Sequence, residues 1–298
     1  MRAPVTVTAV IPSYNSAKLL PRCIESVLTQ TVPVSEILVI DDGSTDNTAE
    51  VVAQFPAPVR LIQQKNAGVA AARNAGIRAA AGEWIGFLDA DDRWLPNKTE
   101  LELRCAARHP NAAVIYCDAD VLLPDGSSAG QFLSDKGPKS GRVYDRLLES
   151  FFVLPSTALV RRDALISCGM FTEHLRKMED YDLWIRMARQ YEFQLVSAAL
   201  TLYERQPTSA TKDTLGVSRA QVVFLRSLMG GSLTSEQNRK LRMRVANSLF
   251  DQAYELRAID PRESVSLAWE SVTTNPKRLR AWELWMKCLA TDWFHLAR

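Results

Sequence analysis

The first 90 residues alternate between short apolar runs and segments of helical spacing, and this alternation constrains the fold more than any other feature. Apolar runs rich in β-branched residues lie at 5–11, 37–40, 59–62 and 84–88. Helical spacing separates them and ends in an alanine-rich stretch, Val69–Ala81. This alternation predicts an α/β fold with a central, mostly parallel sheet flanked by helices on both faces.

Polar clusters follow three of these predicted strands. They occupy Pro12–Asn15, Asp41–Asp46 and Asp89–Asp92. Ligands of such sheets bind outside the carboxyl ends of the strands. We therefore expect the three clusters to converge on one edge of the sheet and to form a binding site there.

The acidic cluster Asp89-Ala90-Asp91-Asp92 follows an apolar strand. Carboxylates at such a strand end suit Mg²⁺ or Mn²⁺ held together with substrate phosphates. An acidic turn that caps the next helix is the alternative, and we prefer the metal interpretation. Asp91 is the first candidate ligand and Asp89 the second, while Asp92 is assigned to ribose or to a neighbouring backbone group.

Two other segments carry candidate ligand-binding residues, each with a structural alternative. Asp41 and Asp42 can accept hydrogen bonds from a nucleobase or ribose, or can simply form a turn. Asn66 is a candidate N-cap of the alanine-rich helix, whose N-terminus would then face a diphosphate. Arg73 on that helix can pair with phosphate or with the acidic cluster, although the alanines equally indicate close packing.

Glu179 and Asp180 begin a further predicted helix. Acidic residues in a first turn stabilise the helix through its dipole. A general base also needs a carboxylate on a rigid element. Spacing alone does not choose between these two roles.

Composition excludes several classes of function. A net charge of +2, from 36 basic and 34 acidic residues, provides no basic field for nucleic acid. The five cysteines include no CxxC pair, which favours reduced thiols in a cytoplasmic protein over a zinc site. A strand-like run begins near the first residue, so we expect no leader there, and no run reaches the ~18 apolar residues of a membrane span.

Two domains are predicted: residues 1–212 as a catalytic domain and 213–298 as an α-helical extension. A Gly-, Ser- and Pro-rich stretch, 124–141, is predicted to be a loop. In the extension, Thr234 with Gln237 predicts a capping box. Asp260-Pro261 and Asn275-Pro276 each predict an N-cap followed by proline in the first helical position.

The end of the chain is rich in tryptophan and in basic residues. We favour a helical cap whose tryptophans pack on the protein itself. Contact with a membrane surface that carries a lipid-linked acceptor, and self-association, are the alternatives. The residues are Trp269, Trp282, Trp285 and Trp293, interleaved with Lys277, Arg278, Arg280 and Lys287.

Five segments together resemble the family 2 glycosyltransferases of the GT-A fold, a Rossmann-like nucleotide-diphospho-sugar transferase fold. They read VIPSYN, VIDDGSTDNT, NAGVAAARNAG, GEWIGFLDADD and MEDYDLWIRMA, and the match extends from residue 5 to about 205. The resemblance implies inverting, metal-dependent transfer of a sugar from a nucleotide-diphosphate donor, with UDP favoured. The acceptor would be a hydroxyl of a glycan or lipid-linked molecule in polysaccharide or glycoconjugate synthesis.

The resemblance also implies roles for individual residues. Positions that match the family's motifs would supply the base and ribose pocket, the nucleotide contacts, the metal ligands and the catalytic base. These are Pro12, Tyr14 and Asn15 for base and ribose; Asp41 or Asp42 for the nucleobase; Asn66 and Arg73 near the nucleotide; Asp91 and Asp89 for Mn²⁺ or Mg²⁺; and Asp180, with Glu179 beside it, as the base.

Two departures and two alternatives bear on this assignment. Gln206 stands where many relatives carry a histidine close to the metal, and no QxxRW motif is present, which favours single-sugar transfer. A sugar-nucleotide nucleotidyltransferase would need a glycine-rich loop after the first strand, where this chain has PSYNS. A catalytically silent binding module would be expected to lack the acidic residues at 89, 91 or 180, all of which are present.

Overall fold

The computed structural model describes residues 5–134, 139–205, 213–230 and 232–296, with side chains as far as residue 289. The chain divides into two compact units, residues 1–209 and 210–298. The first unit contains a sheet covered by helices, and the described residues of the second are helical. Gln206, with its open role at the metal, lies outside the described residues.

The first unit alternates strands and helices over most of its length. Its strands are β1 (Val7–Ser13), β2 (Glu36–Asp41), β3 (Val59–Gln63), β4 (Trp84–Phe87), β5 (Arg93–Trp94), β6 (Ala112–Leu122), β7 (Ser128–Gln131), β8 (Ala158–Arg161) and β9 (Glu192–Glu204). Its helices are α1 (Leu20–Leu28), α2 (Thr48–Val52), α3 (Val69–Ala79), α4 (Lys98–Arg108), α5 (Tyr144–Glu149), α6 (Arg162–Ser167) and α7 (Glu179–Ala188).

Within the described residues the strands form one sheet in the order β3-β2-β1-β4-β8-β6-β9-β5, and β7 pairs with β6. The β3-β2-β1-β4 half is parallel, which confirms the prediction from the alternating pattern. All residues of β1 and β2 are buried, as expected for strands covered on both faces. Strand β8 runs antiparallel to β4 and β6, so the whole sheet is mixed.

The predicted loop at 124–141 contains a strand, so that prediction was wrong in part. Strand β7 pairs with β6 in antiparallel register, with Leu122 opposite Ser128. All four of its residues are exposed. The strand buries no apolar face, so no hydrophobic alternation in the sequence could reveal it.

Helix α3 lies close against the parallel half of the sheet. A Cβ atom added to Gly76 would lie 2.3 Å from Cγ1 of Val10 on β1. Ala70, Ala71 and Ala72 on this helix are buried. Small side chains therefore let the helix approach the sheet, and this close packing holds Arg73 at the ends of the strands.

The second unit consists of α8 (Thr214–Leu228), α9 (Ser235–Leu256), α10 (Pro261–Thr274) and α11 (Leu279–Leu296). The capping box of Thr234 and Gln237 is confirmed, and Asp260 caps α10 by accepting from the Glu263 N–H. The predicted N-cap at Asn275 was wrong. Asn275 ends α10 instead, because its N–H donates to the Ser271 carbonyl at 3.0 Å. No helix in the described ranges is long and apolar enough to cross a membrane.

Helix α4 carries a buried ion pair. The Lys98 Nζ lies 2.6 Å from Oε2 of Glu102, and both side chains are almost fully buried. The ammonium also lies 4.7 Å from the centre of the Trp94 ring. Burial raises the pKa of Glu102 to about 7, although Lys98 opposes the rise. Each charge is therefore tolerated in the interior because of the other.

We expect Glu102→Leu to reduce the free energy of unfolding by about 3–5 kcal/mol, because it leaves the Lys98 ammonium buried without its partner. The double variant Lys98→Met/Glu102→Leu should be more stable than Glu102→Leu alone, because it removes both charges. Urea denaturation of the wild type, Glu102→Leu, Lys98→Met and the double variant measures the coupling between the two charges. Strictly additive losses would contradict it.

Candidate functional site

The three polar clusters meet at one edge of the sheet, as the sequence predicts. Ser13 at the end of β1 lies opposite Asp41 at the end of β2. The side chain of Asn15 accepts from the Thr45 N–H at 2.8 Å, and the Asn15 N–H donates to Oγ of Ser44 at 2.9 Å. These bonds join the loops after β1 and β2 into one rim.

The candidate base-pocket residues after β1 differ in exposure. Pro12 is buried inside β1, whereas Tyr14 is 51% exposed and Asn15 is exposed at the rim. Asn15 has a φ of 52°, a left-handed conformation that asparagine tolerates better than most residues. Tyr14 is thus presented to solvent beside the site, while Asn15 is held in place by its bonds to the neighbouring loop.

Asp41 and Asp42 are both buried, and their carboxylates hold the surrounding loops. Asp41 accepts from the Ser44 N–H at 2.9 Å and from Gln63 at 3.1 Å. Asp42 accepts from the N–H groups of Ala67 and Gly68 at 2.9 and 2.8 Å. The structure therefore gives both residues a positioning task, and nucleobase contact by either stays a prediction.

The start of α3 differs from the sequence prediction. Gly68 occupies the N-cap with a φ of 96°, so the prediction that Asn66 caps this helix was wrong. Asn66 lies exposed in the preceding loop. A Cβ atom added to Gly43 would lie 2.9 Å from the backbone nitrogen of Asn66. Glycine at 43 therefore allows the loops after β2 and before α3 to touch.

Arg73 on α3 connects two acidic segments that are 90 residues apart in the chain. Its Nη2 lies 2.7 Å from Oδ1 of Asp89, and its Nη1 lies 3.0 Å from Oε1 of Glu179. The Arg73 side chain is only 4% exposed. Burial alone would lower the pKa of Arg73, but the carboxylates of Asp89 and Glu179 raise it. The guanidinium is therefore a permanent cation at the centre of the site.

The acidic cluster after β4 is crowded and partly buried. Burial and the neighbouring carboxylate of Asp89 raise the pKa of Asp91 to about 6. Asp92 is buried, and its Oδ1 accepts from the Glu204 N–H at 3.0 Å. Burial, followed by the charges of Asp91 and Asp89, raises the pKa of Asp92 well above its ordinary value. Of the two partners predicted for Asp92, the structure supplies the backbone one.

Glu179 and Asp180 form the first turn of α7. Met178, the residue before them, adopts a left-handed conformation with a φ of 68°. A non-glycine residue in this conformation is strained, and such strain concentrates at functional sites. Burial raises the pKa of Asp180 well above its ordinary value, Glu179 adds to the rise, and Arg73 opposes it. The surroundings of Asp180 thus increase the proton affinity of its carboxylate.

Two further residues support this site through contacts that the sequence analysis did not predict. Oγ of Ser156 accepts from the Asp89 N–H at 3.0 Å, and its carbonyl accepts from the Trp94 indole at 3.0 Å. The Glu204 carboxylate binds Arg22 and Arg93 at 2.6 and 3.0 Å. These contacts join residues far apart in sequence, and no local pattern could have indicated them.

The acidic cluster after β4 is the candidate site for a metal ion. In the described part of the chain, no group of three or more His, Cys, Asp or Glu side chains is arranged to hold a metal ion. Asp89 and Asp91 supply two hard oxygen donors, and burial, followed by repulsion from the Asp89 carboxylate, raises the pKa of Asp91. A divalent cation would relieve that repulsion. The pair therefore fits a cation that takes its other ligands from a bound diphosphate.

This chain is similar in sequence to known glycosyltransferases. The model of the family "Glycosyl transferase family 2" matches residues 8–169, more than half of the chain. Hyaluronan synthase of Pasteurella multocida is 32% identical over 196 residues, which are 65% of this chain and 20% of that protein. A glycosyltransferase of Rickettsia felis is 33% identical over 186 residues, which are 61% of this chain and 30% of that protein.

A shorter relative covers more of its own length. It is the Escherichia coli UDP-Glc:alpha-D-GlcNAc-diphosphoundecaprenol beta-1,3-glucosyltransferase WfgD, 30% identical over 64% of this chain and 73% of that protein. The match thus spans less than a third of the length of the Pasteurella multocida and Rickettsia felis proteins, but 73% of the length of WfgD.

Solved structures share the fold at low sequence identity. S. aureus TarS 1–349 in complex with UDP-GlcNAc has a TM-score of 0.66 at 18% identity, covering 93% of this chain and 83% of that one. The mannosyltransferase PcManGT of Pyrobaculum calidifontis, in complex with GDP-Man and Mn²⁺, has a TM-score of 0.64 at 18% identity, covering 95% and 84%. Together with the extent of the family match, this likeness shows that the chain belongs to glycosyl transferase family 2 and has the GT-A fold.

Proposed function

We propose that this protein transfers a single sugar, with inversion, from a nucleotide-diphosphate donor to a hydroxyl group of a glycan or lipid-linked acceptor. The observation that carries the proposal is the position of Arg73. It binds Asp89 of the acidic cluster and Glu179 at the start of α7 through one guanidinium. The acidic cluster, where the donor diphosphate is proposed to bind, and the first turn of α7, which carries the proposed base, are thereby held at a fixed separation.

Asp180 is the proposed general base. The acceptor hydroxyl gives its proton to the Asp180 carboxylate while its oxygen attacks the anomeric carbon. The bond from that carbon to the diphosphate oxygen breaks, and the nucleoside diphosphate leaves with the electron pair. The raised pKa of Asp180 suits this task, because a stronger base takes a proton more readily.

The donor is proposed to bind at the rim formed by the loops after β1 and β2. Tyr14 and Asn15 lie on this rim, and Asp41 and Asp42 hold its shape. Mn²⁺ or Mg²⁺ bound by Asp91 and Asp89 would stabilise the charge that develops on the departing diphosphate. Both terminal nitrogens of Arg73 donate to carboxylates, so we assign this residue to orientation of the site rather than to direct phosphate binding.

A UDP-sugar is the favoured donor. WfgD is named as a UDP-Glc-dependent enzyme, and TarS was solved with UDP-GlcNAc. PcManGT was solved with GDP-Man, which makes a GDP-sugar the second candidate. We assign catalysis to residues 1–212, and we propose a cytoplasmic location, which the five buried, reduced cysteines support.

We expect Asp180→Asn to abolish transfer while donor affinity is unchanged, because the amide keeps the shape of the side chain but cannot accept the proton. Initial rates and donor titration by calorimetry separate the two effects. Glu25→Gln, which removes an exposed carboxylate from α1, is the matched control. Near-wild-type turnover by Asp180→Asn would show that another group is the base.

Acidification should slow the reaction through the same residue. The pKa of Asp180 is raised, so its carboxylate becomes protonated as the pH falls through that value. Below this point kcat/KM should fall about tenfold per pH unit, and above it the rate should level off. A rate profile from pH 4.5 to 9 measures this limb. A rate that stays constant down to pH 4.5 would contradict the assignment.

Asp91→Asn should weaken donor binding only when Mn²⁺ is present, because it removes one of two oxygen ligands. Thermal unfolding with UDP-sugars, with and without Mn²⁺, provides the measurement, since bound donor raises the midpoint by mass action. The wild type should show a larger shift with the metal, and the variant should show the metal-free shift under both conditions. An equal metal-dependent shift in both proteins would exclude Asp91 as a ligand.

A further inference from the structure

Helix α11 in the second unit exposes a row of large apolar side chains. Leu279, Trp282, Met286 and Leu289 follow each other at intervals of three, four and three residues, which places them on one face of the helix. Their exposed fractions are 75%, 37%, 60% and 37%. We call these four residues the α11 stripe.

The α11 stripe is not the face through which the helix joins its own unit. Ala281, Leu284 and Cys288 lie on the opposite face and are buried. Leu284 and Cys288 pack with Ala253 of α9 and Ala268 of α10. The helix therefore carries two apolar faces, and its own unit covers one of them.

Aromatic rings extend the stripe onto α10. Trp269 is 44% exposed, and its ring centre lies 6.1 Å from that of Trp282 and 4.8 Å from that of Trp285. The indole N–H of Trp282 donates to the Pro276 carbonyl at 2.9 Å. These rings combine an apolar body with a polar edge, and such side chains favour the boundary between water and lipid.

The charge of the second unit indicates what can cover this surface. Residues 210–298 contain 14 Lys and Arg against 9 Asp and Glu, a net charge of +5, whereas residues 1–209 carry a net charge of −3. Arg280 and Lys287 are exposed on α11 itself. A second copy would bring like charge against this surface, whereas an anionic lipid layer complements it.

We propose that the α11 stripe and Trp269 form a docking surface for a membrane that contains anionic lipids. The apolar side chains enter the boundary between headgroups and acyl chains, and the basic side chains bind lipid phosphates. If the proposed function holds, such docking would keep the protein beside its lipid-linked acceptor.

Sedimentation of the full chain with vesicles tests the proposal. Vesicles of phosphatidylcholine alone are compared with vesicles that contain one quarter phosphatidylglycerol, at low salt and at 0.5 M NaCl. The wild type should bind the anionic vesicles, with a blue shift of tryptophan fluorescence, and should bind less at high salt. Leu279→Gln/Met286→Gln should weaken binding about tenfold or more, because the transfer of two apolar side chains from water into the membrane is lost.

Val223→Gln/Ile259→Gln is the matched control. These two residues are 70% and 79% exposed elsewhere in the second unit, so the control changes a similar apolar area away from the stripe. It should bind like the wild type, and all three proteins should have equal thermal midpoints. The proposal is overturned if the wild type does not bind anionic vesicles or if the control loses binding equally. A wild-type dimer that the stripe variant dissociates, without vesicle binding, would assign the surface to self-association instead.

Discussion

The buried guanidinium of Arg73 is the interaction on which the rest of the site depends. A cation that is only 4% exposed needs partners, and Asp89 and Glu179 provide both of them. Each partner begins or follows a regular element, so the ion pairs also fix the end of β4 against the start of α7. Glycine at position 76 allows α3 to approach the sheet closely enough for this contact. Sheet packing and the arrangement of the acidic groups are therefore parts of one constraint.

Burying these ion pairs also brings several carboxyl groups close together, which destabilises their charged forms. One guanidinium cannot neutralise all of the acidic residues near it, so burial and mutual repulsion raise the pKa of Asp91, Asp92 and Asp180. The left-handed backbone of Met178 adds strain directly before the proposed base. Crowded carboxyl groups of this kind favour a ligand that brings a cation or donates a proton, and this agrees with the proposed metal-assisted transfer.

The sequence indicated the parallel half of the sheet and the convergence of three polar clusters, because buried strands and strand-end loops leave strong local patterns. It failed at Asn66 and Asn275, where a side chain suited to an N-cap was not used as one. A cap is decided by where the backbone turns, and Gly68 accommodates the left-handed turn before α3 at no steric cost. The exposed strand β7 also escaped prediction, since it pairs with β6 but buries no side chain that would leave a hydrophobic pattern.

The sequence by itself determined the family, the parallel core and the identity of the acidic groups, because each of these depends on residues that are neighbours in the chain. Only the tertiary structure decided which groups act on one another. It brought Arg73 between Asp89 and Glu179, and it turned Asp42 and Asp92 toward backbone N–H groups. It also left the α11 stripe uncovered by its own unit. The physical reason is that burial and charge pairing arise from contacts between distant segments, which local sequence patterns do not specify.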